Sequence, residues 1–339
     1  MIEQRLKRIF VSSFVCLFLS IPVGYCAQEE SPLFWPPPPA PMRISFVKSV
    51  YASADIGIKS GFFKKFKGII FGETKDILNK PMAVAVDKQK TIYICDAGGP
   101  ALHVFIQREK RYKKITTINK EELLSPVGVA VSDNGLVFIA DSKLQKVFCL
   151  DENGRFKFTI GQDKRLLRPA GLAISKERLY VVDTLTHSVS IFDLMGNFIL
   201  EFGGRGKEDG KFNYPTSITV DKEGKIYIVD TLNFRIQVFD ENNKFLYSIG
   251  QLGDSSGSFL RPKGVAVDSF GHIYITDGVF DNIQIFNQKR EFLLSLGESG
   301  HMDGEFWIPC GITIDEENYI YAADSYNQRI QIFHYVGKD

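Results

Sequence analysis

Cysteine is scarce in this 339-residue chain, with 5 in all. Cys16 and Cys26 fall near the N-terminus, and Cys95, Cys149 and Cys310 are widely separated in the remainder. Three isolated thiols supply neither a disulfide framework nor a C-x-x-C metal motif. Cys95 and Cys149 lie in strand-like runs and read as small apolar core residues. Charge of one sign is lacking too. Lys and Arg total 41 against 40 Asp and Glu, a net of +1, so no global basic field exists to hold nucleic acid. The 5 histidines, His103, His187, His272, His301 and His334, show no H-x-H or HExxH spacing, which removes the common zinc motifs. No catalytic residue, metal or cofactor is expected from these residues.

One long apolar run is present. Arg5, Lys7 and Arg8 precede Ile9 to Val23, a stretch shorter than the roughly 20 residues of a membrane span but suited to a secretory leader. Residues 1–27 are therefore expected to be a signal peptide, and the protein to be exported to the periplasm or cell envelope. Val23-Gly24-Tyr25-Cys26 is similar to a lipobox, although Tyr25 departs from it. Lipid anchoring at Cys26, tethering the N-terminus to a membrane, is the alternative. Residues 28–42 contain Pro36 to Pro39 and Pro41. They read as a stiff polyproline linker, or as a strap that buries Leu33, Phe34 and Trp35.

The body of the chain is repetitive. Pro81, Pro126, Pro169, Pro215, Pro262 and Pro309 each open a unit that reaches an Asp about fifteen residues later: Asp96, Asp141, Asp183, Asp230, Asp277 and Asp324. Each unit carries strand-like runs with a period of two, separated by Gly, Asn and Asp. Aromatic residues at 13%, with 28 Phe and 13 Tyr, also suit pleated surfaces. A period in the forties with four strands per unit predicts propeller blades. Two residues after each Pro stands Ala83, Gly128, Gly171, Ser217, Gly264 or Gly311, and three after it a bulky aliphatic residue. Alternation puts small side chains on one face and large ones on the other, as stacked blades require near the axis. The sixth unit ends without a fourth strand. Residues 43–50 alternate correctly to supply it and so remove an exposed edge.

Pro262-Lys263-Gly264-Val265-Ala266-Val267-Asp268 and Ile320-Tyr321-Ala322-Ala323-Asp324, followed by Ser325-Tyr326-Asn327-Gln328-Arg329-Ile330, resemble NHL repeats. The first unit departs, with Ala97-Gly98-Gly99-Pro100 where Asn and Arg stand in the better copies, and units two and three lack the Arg. The resemblance covers roughly residues 76–335 and implies an all-β, six-bladed propeller over 43–339. A helix is expected at 62–71, where residues 62, 63, 66, 69 and 70 form one apolar stripe.

Function is narrowed rather than fixed. The ring of Asp residues is expected to cap local backbone N–H groups and not to hold a metal. Phe212, Phe259 and Phe306 are expected to plug blade interfaces. Residues next to each Pro should sit near the channel mouth: Met82, Val127, Ala170, Thr216, Lys263 and Cys310, none of them a carboxylate or His. The expected activity is non-catalytic: a monomeric scaffold or sensor that binds a protein, peptide or glycan on its loop face. Tyr214, Phe234, Arg261, Phe280, Trp307 and Tyr326 are the candidate contacts, because aromatics and Arg dominate interface energetics. A metal-dependent propeller hydrolase or lyase using the Asp ring is the alternative. RNA binding conflicts with the leader and the neutral charge.

Overall fold

The computed structural model describes residues 33–37, 39–58 and 76–337. Six antiparallel sheets are arranged as blades. The innermost strands are Pro81–Val86, Pro126–Val131, Pro169–Ser175, Pro215–Val220, Pro262–Val267 and Pro309–Ile314, for blades 1 to 6. Each lies beside the inner strand of the next blade, and that of blade 6 beside that of blade 1, so the ring closes. The protein is a six-bladed β-propeller. Helical structure among the described residues is limited to two short 3-10 turns, Ser53–Ile56 and Thr231–Asn233. The expected signal peptide at 1–27 and the helix at 62–71 lie outside the described residues.

Blade 6 takes its fourth strand from the other end of the chain. Ile44–Val50 pairs antiparallel with Arg329–Tyr335. Of the two readings of residues 28–42, linker or strap, Phe34–Trp35 follows the strap, adding a fifth strand opposite Ser45 and Ile44. The physical reason is burial: the Trp35 ring packs edge-on against Phe333, with centroids 5.6 Å apart, and Phe46 meets Phe333 from the same distance.

What brings the blades together is visible in the inner strands. A Cβ on Gly171 would lie 2.7 Å from the Ser217 Cα, and one on Gly311 would lie 2.6 Å from the Met82 carbonyl oxygen. Equivalent additions at Gly128 and Gly264 would strike the carbonyls of Ala170 and Cys310. Backbone therefore touches backbone between blades, and larger side chains are excluded there. Outside this contact, apolar clusters fill each blade interface. Phe212, Phe259 and Phe306 are fully buried within three of them. Gly203, Gly250 and Gly297, all with positive φ, lie flat over these rings where a Cβ would clash.

Turns follow from repeated aspartates. Asp87, Asp221, Asp268 and Asp315 each accept N–H groups from the turn joining inner and second strands. The same carboxylates receive the hydroxyls of Tyr93, Tyr227, Tyr274 and Tyr321. Asx turns of this kind offer the backbone local partners that end a strand cleanly.

Two outcomes test this account. Gly128→Ala should lower unfolding free energy by about 1–3 kcal/mol through overpacking, read from the urea midpoint. Removing residues 1–51 should expose the Arg329–Tyr335 edge and replace a single cooperative thermal transition with a broader one, with aggregation on heating.

Candidate functional site

The inner strand begins with a defect that points side chains inward. Pro81 stands opposite Asp96, but the next partners are Ala83 and Cys95, so Met82 bulges out of register. The same shift follows Pro126, Pro169, Pro215, Pro262 and Pro309. Proline suits this place because it has no N–H to leave unpaired, and the bulge re-aims the residue after it. Met82, Val127, Ala170, Thr216, Lys263 and Cys310 accordingly all line one axial cavity of about 510 Å³.

The aspartates fix the rim of that cavity. All six are buried. Asp96 accepts the N–H groups of Asn79 and Lys80 from the chain entering its blade, and of Gly98 and Gly99 from the following turn. Asp141, Asp183 and Asp277 repeat the pattern. In blades 4 and 6 side chains replace the turn amides. Asp230 receives Asn233, Arg235 and Gln237, and Asp324 receives Asn327, Arg329 and Gln331. Burial raises the Asp324 carboxyl above its ordinary value in spite of these donors. Among the described residues no group of three or more His, Cys, Asp or Glu side chains is placed to hold a metal ion.

With their backbone held this way, the residues just before each Pro form the mouth. Arg168, Tyr214 and Arg261 line the cavity there, with Thr184, Thr231 and Leu232 between them. Tyr214 has φ of 53° and gives its N–H to Nδ1 of His187 at 3.0 Å, the two rings meeting edge-on. That contact requires a neutral His187, whose pKa burial and Arg205 lower. Lys263 lies deeper. Burial lowers its ammonium pKa, and Arg261 and Lys80 act in the same direction, against opposing effects of Cys310 and Asp277. No carboxylate belongs to the cavity wall.

The six candidate contacts do not converge. Tyr214 and Arg261 line the cavity. Trp307 and Tyr326 form a separate half-exposed pair on blade 6, centroids 5.4 Å apart, with Lys80 Nζ 4.7 Å from the Tyr326 ring and His301 against Trp307. Phe234 and Phe280 reach neither group. Each stands just before its blade's third strand, farther from the axis, where the loop folds back toward Asp230 or Asp277. Arg168, outside those six, also lines the cavity, and Lys263 lies where the residue after each repeat proline is expected. Position was the available signal, since both flank a repeat proline.

Comparisons with known proteins agree on architecture. A family model described as a 6-bladed beta-propeller matches residues 162–231. Among curated proteins, the brain tumor protein of Drosophila melanogaster is 26% identical over 152 residues, covering 43% of this chain and 13% of that protein. The chain thus spans only a small part of that relative's length. Among solved structures, an auxiliary nutrient binding protein from Bacteroides thetaiotaomicron superposes with a TM-score of 0.60 at 15% identity, over 77% of this chain and 70% of that one. A virginiamycin B lyase from Staphylococcus aureus gives 0.57 at 13%, over 76% and 80%. At such identities the likeness is one of fold.

His103 shows how the rim tolerates exchange. It occupies the register position that Gln237, Gln284 and Gln331 hold in blades 4, 5 and 6. Its Nδ1 meets the Tyr112 hydroxyl at 2.9 Å, and its Nε2 lies 3.7 Å from Asp96. Burial lowers its pKa from 6.5 to about 4 despite Asp96. The unfolded state therefore binds the extra proton between those values. Stability is fully present above pH 6.5 and is lost as pH falls toward 4, by about 3 kcal/mol from this group. In urea unfolding at pH 7 and at pH 4.5, His103→Gln should lose less stability on acidification than the parent.

Proposed function

We propose that the protein is an exported, non-catalytic propeller of the NHL type that binds a ligand on its loop face and serves as a scaffold or sensor at the cell envelope. The observation that carries this reading is the division of labour around the axis. The six Asp carboxylates that a metal-dependent hydrolase or lyase would use accept hydrogen bonds from the backbone and neighbouring side chains. The cavity wall instead offers an aromatic ring, hydroxyls, aliphatic side chains and three cations. With no carboxylate and no histidine in that lining, the groups present suit recognition of a ligand.

Export rests on the leader-like residues 1–27. Among the described residues no helix is long and apolar enough to cross a membrane. Envelope placement is supported by the fold shared with a Bacteroides auxiliary nutrient binding protein, and protein, peptide and glycan all remain within the partner class. The enzyme reading retains the fold shared with a lyase.

Copurification from envelope fractions tests the proposal. The parent protein should retain a partner that Tyr214→Ala with Arg261→Ala loses by at least about tenfold, a drop of ~1.4 kcal/mol or more, with an unchanged circular dichroism spectrum. Undiminished capture would defeat the assignment to this face. Elemental analysis gives an independent check: calcium or zinc surviving dialysis at one per chain would favour the hydrolase or lyase.

A further inference from the structure

We infer that the loop-face mouth of the axial cavity binds a small organic anion, its carboxylate or phosphate group taken up by Lys263, Arg261 and Arg168. The inference deepens the binding reading above and rests on it.

The two ends of the channel differ in how they treat positive charge. At the far end, around a second cavity bordered by the turns between inner and second strands, Lys88 pairs with Asp133 at 3.0 Å and Lys90 with Asp315 at 2.8 Å. At the mouth, Arg168, Arg261 and Lys263 border a cavity whose lining contains no Asp or Glu. Among the described residues none of the three has a carboxylate within ion-pair distance, whereas Arg235 and Arg329 elsewhere on the same face do. Lys263 is partly buried while Arg168 and Arg261 are exposed at the same cavity, and a partly desolvated cation with like charge nearby is disfavoured unless something neutralises it. Burial first, and then Arg261 and Lys80, lower the ammonium pKa of Lys263.

Lys263 is also held in place. Its carbonyl accepts the Thr216 hydroxyl at 3.1 Å, and Thr216 and Thr231 hydroxyls lie 2.8 Å apart, with Thr231 donating to the Pro262 carbonyl. Blades 4 and 5 therefore fix the backbone from which the side chain projects. Guanidinium groups suit planar bidentate recognition of carboxylate and phosphate, and an ammonium adds a point charge. Ala170 and Val127 leave room beside them, and about 510 Å³ falls within the roughly 300–1,000 Å³ of small-molecule pockets.

Calorimetric titration and thermal shift with galacturonate, glucose 6-phosphate and galactose test the site on the full chain. At least one of the two acids should bind and raise Tm, while galactose does neither. Which acid binds separates a carboxylate from a phosphate source. Lys263→Met should weaken acid binding by about tenfold or more, and its ligand-free Tm should equal or exceed that of the parent, since the aliphatic stem stays packed and an unpaired charge is gone. Failure of both acids to bind at millimolar concentration overturns the inference, as does equal binding of acids by parent and Lys263→Met. Galactose binding as well as the acids, and lost in Tyr214→Ala, overturns the anion site while leaving the binding propeller intact. Envelope copurification unaffected by the loop-face variants instead counts against the binding reading itself.

Discussion

The contact between the second residue of one inner strand and the backbone of the next blade governs this molecule. At Gly128, Gly171, Gly264 and Gly311 the neighbouring chain comes so close that a methyl group has no place to go. A closed ring makes this demand collective, because widening one interface must be absorbed by the other five. Hydroxyls then pin the approach where space allows. Thr184 donates to the Pro215 carbonyl of the next blade, Thr231 to that of Pro262, and Ser325 to that of Pro81. Apolar packing supplies most of the driving force, but these polar and steric contacts decide where the blades come to rest.

The same contact produces the site. Bringing the inner strands together leaves a cavity whose wall is drawn from the bulged residue after each proline and the rim residue before it. Asp96 and its five counterparts hold the rim by accepting its amides, so the rim backbone is constant while its side chains vary. Arg168, Tyr214 and Arg261 occupy equivalent rim positions in blades 3, 4 and 5, an aromatic ring standing between two guanidinium groups in blade order. A rigid frame with exchangeable surface residues is a general way for one fold to serve many ligands, and here it separates the invariant work of the aspartates from the selective work of the mouth.

Much of this was legible in the chain itself, because a repeat states its rule six times. The spacing of the prolines, the small residue two places on and the terminal Asp together predict blades, their packing faces and their number. Alternation in residues 43–50 predicts the strand that closes the last blade, and the structure places Ile44–Val50 there. Phe212, Phe259 and Phe306 could be read as interface plugs from position alone. The candidate site was legible only in part. Of the six candidate contacts Tyr214 and Arg261 line the cavity and the other four do not, while Lys263 lines it as its place after a repeat proline predicts, and Arg168 joins them from the rim.

The sequence by itself determined the ring, since strand period, turn chemistry and side-chain size are local properties that each unit carries in full. Only the tertiary structure decided which rim residues join the six post-proline residues at the axis, that Phe34 and Trp35 belong to blade 6, and that three cations border a cavity lined by no carboxylate. Those facts depend on the tilt of each blade and on residues such as Arg168, Tyr214 and Arg261, which stand 46 to 93 positions apart along the chain yet line one opening. No repeat rule encodes them, because they arise where the units differ.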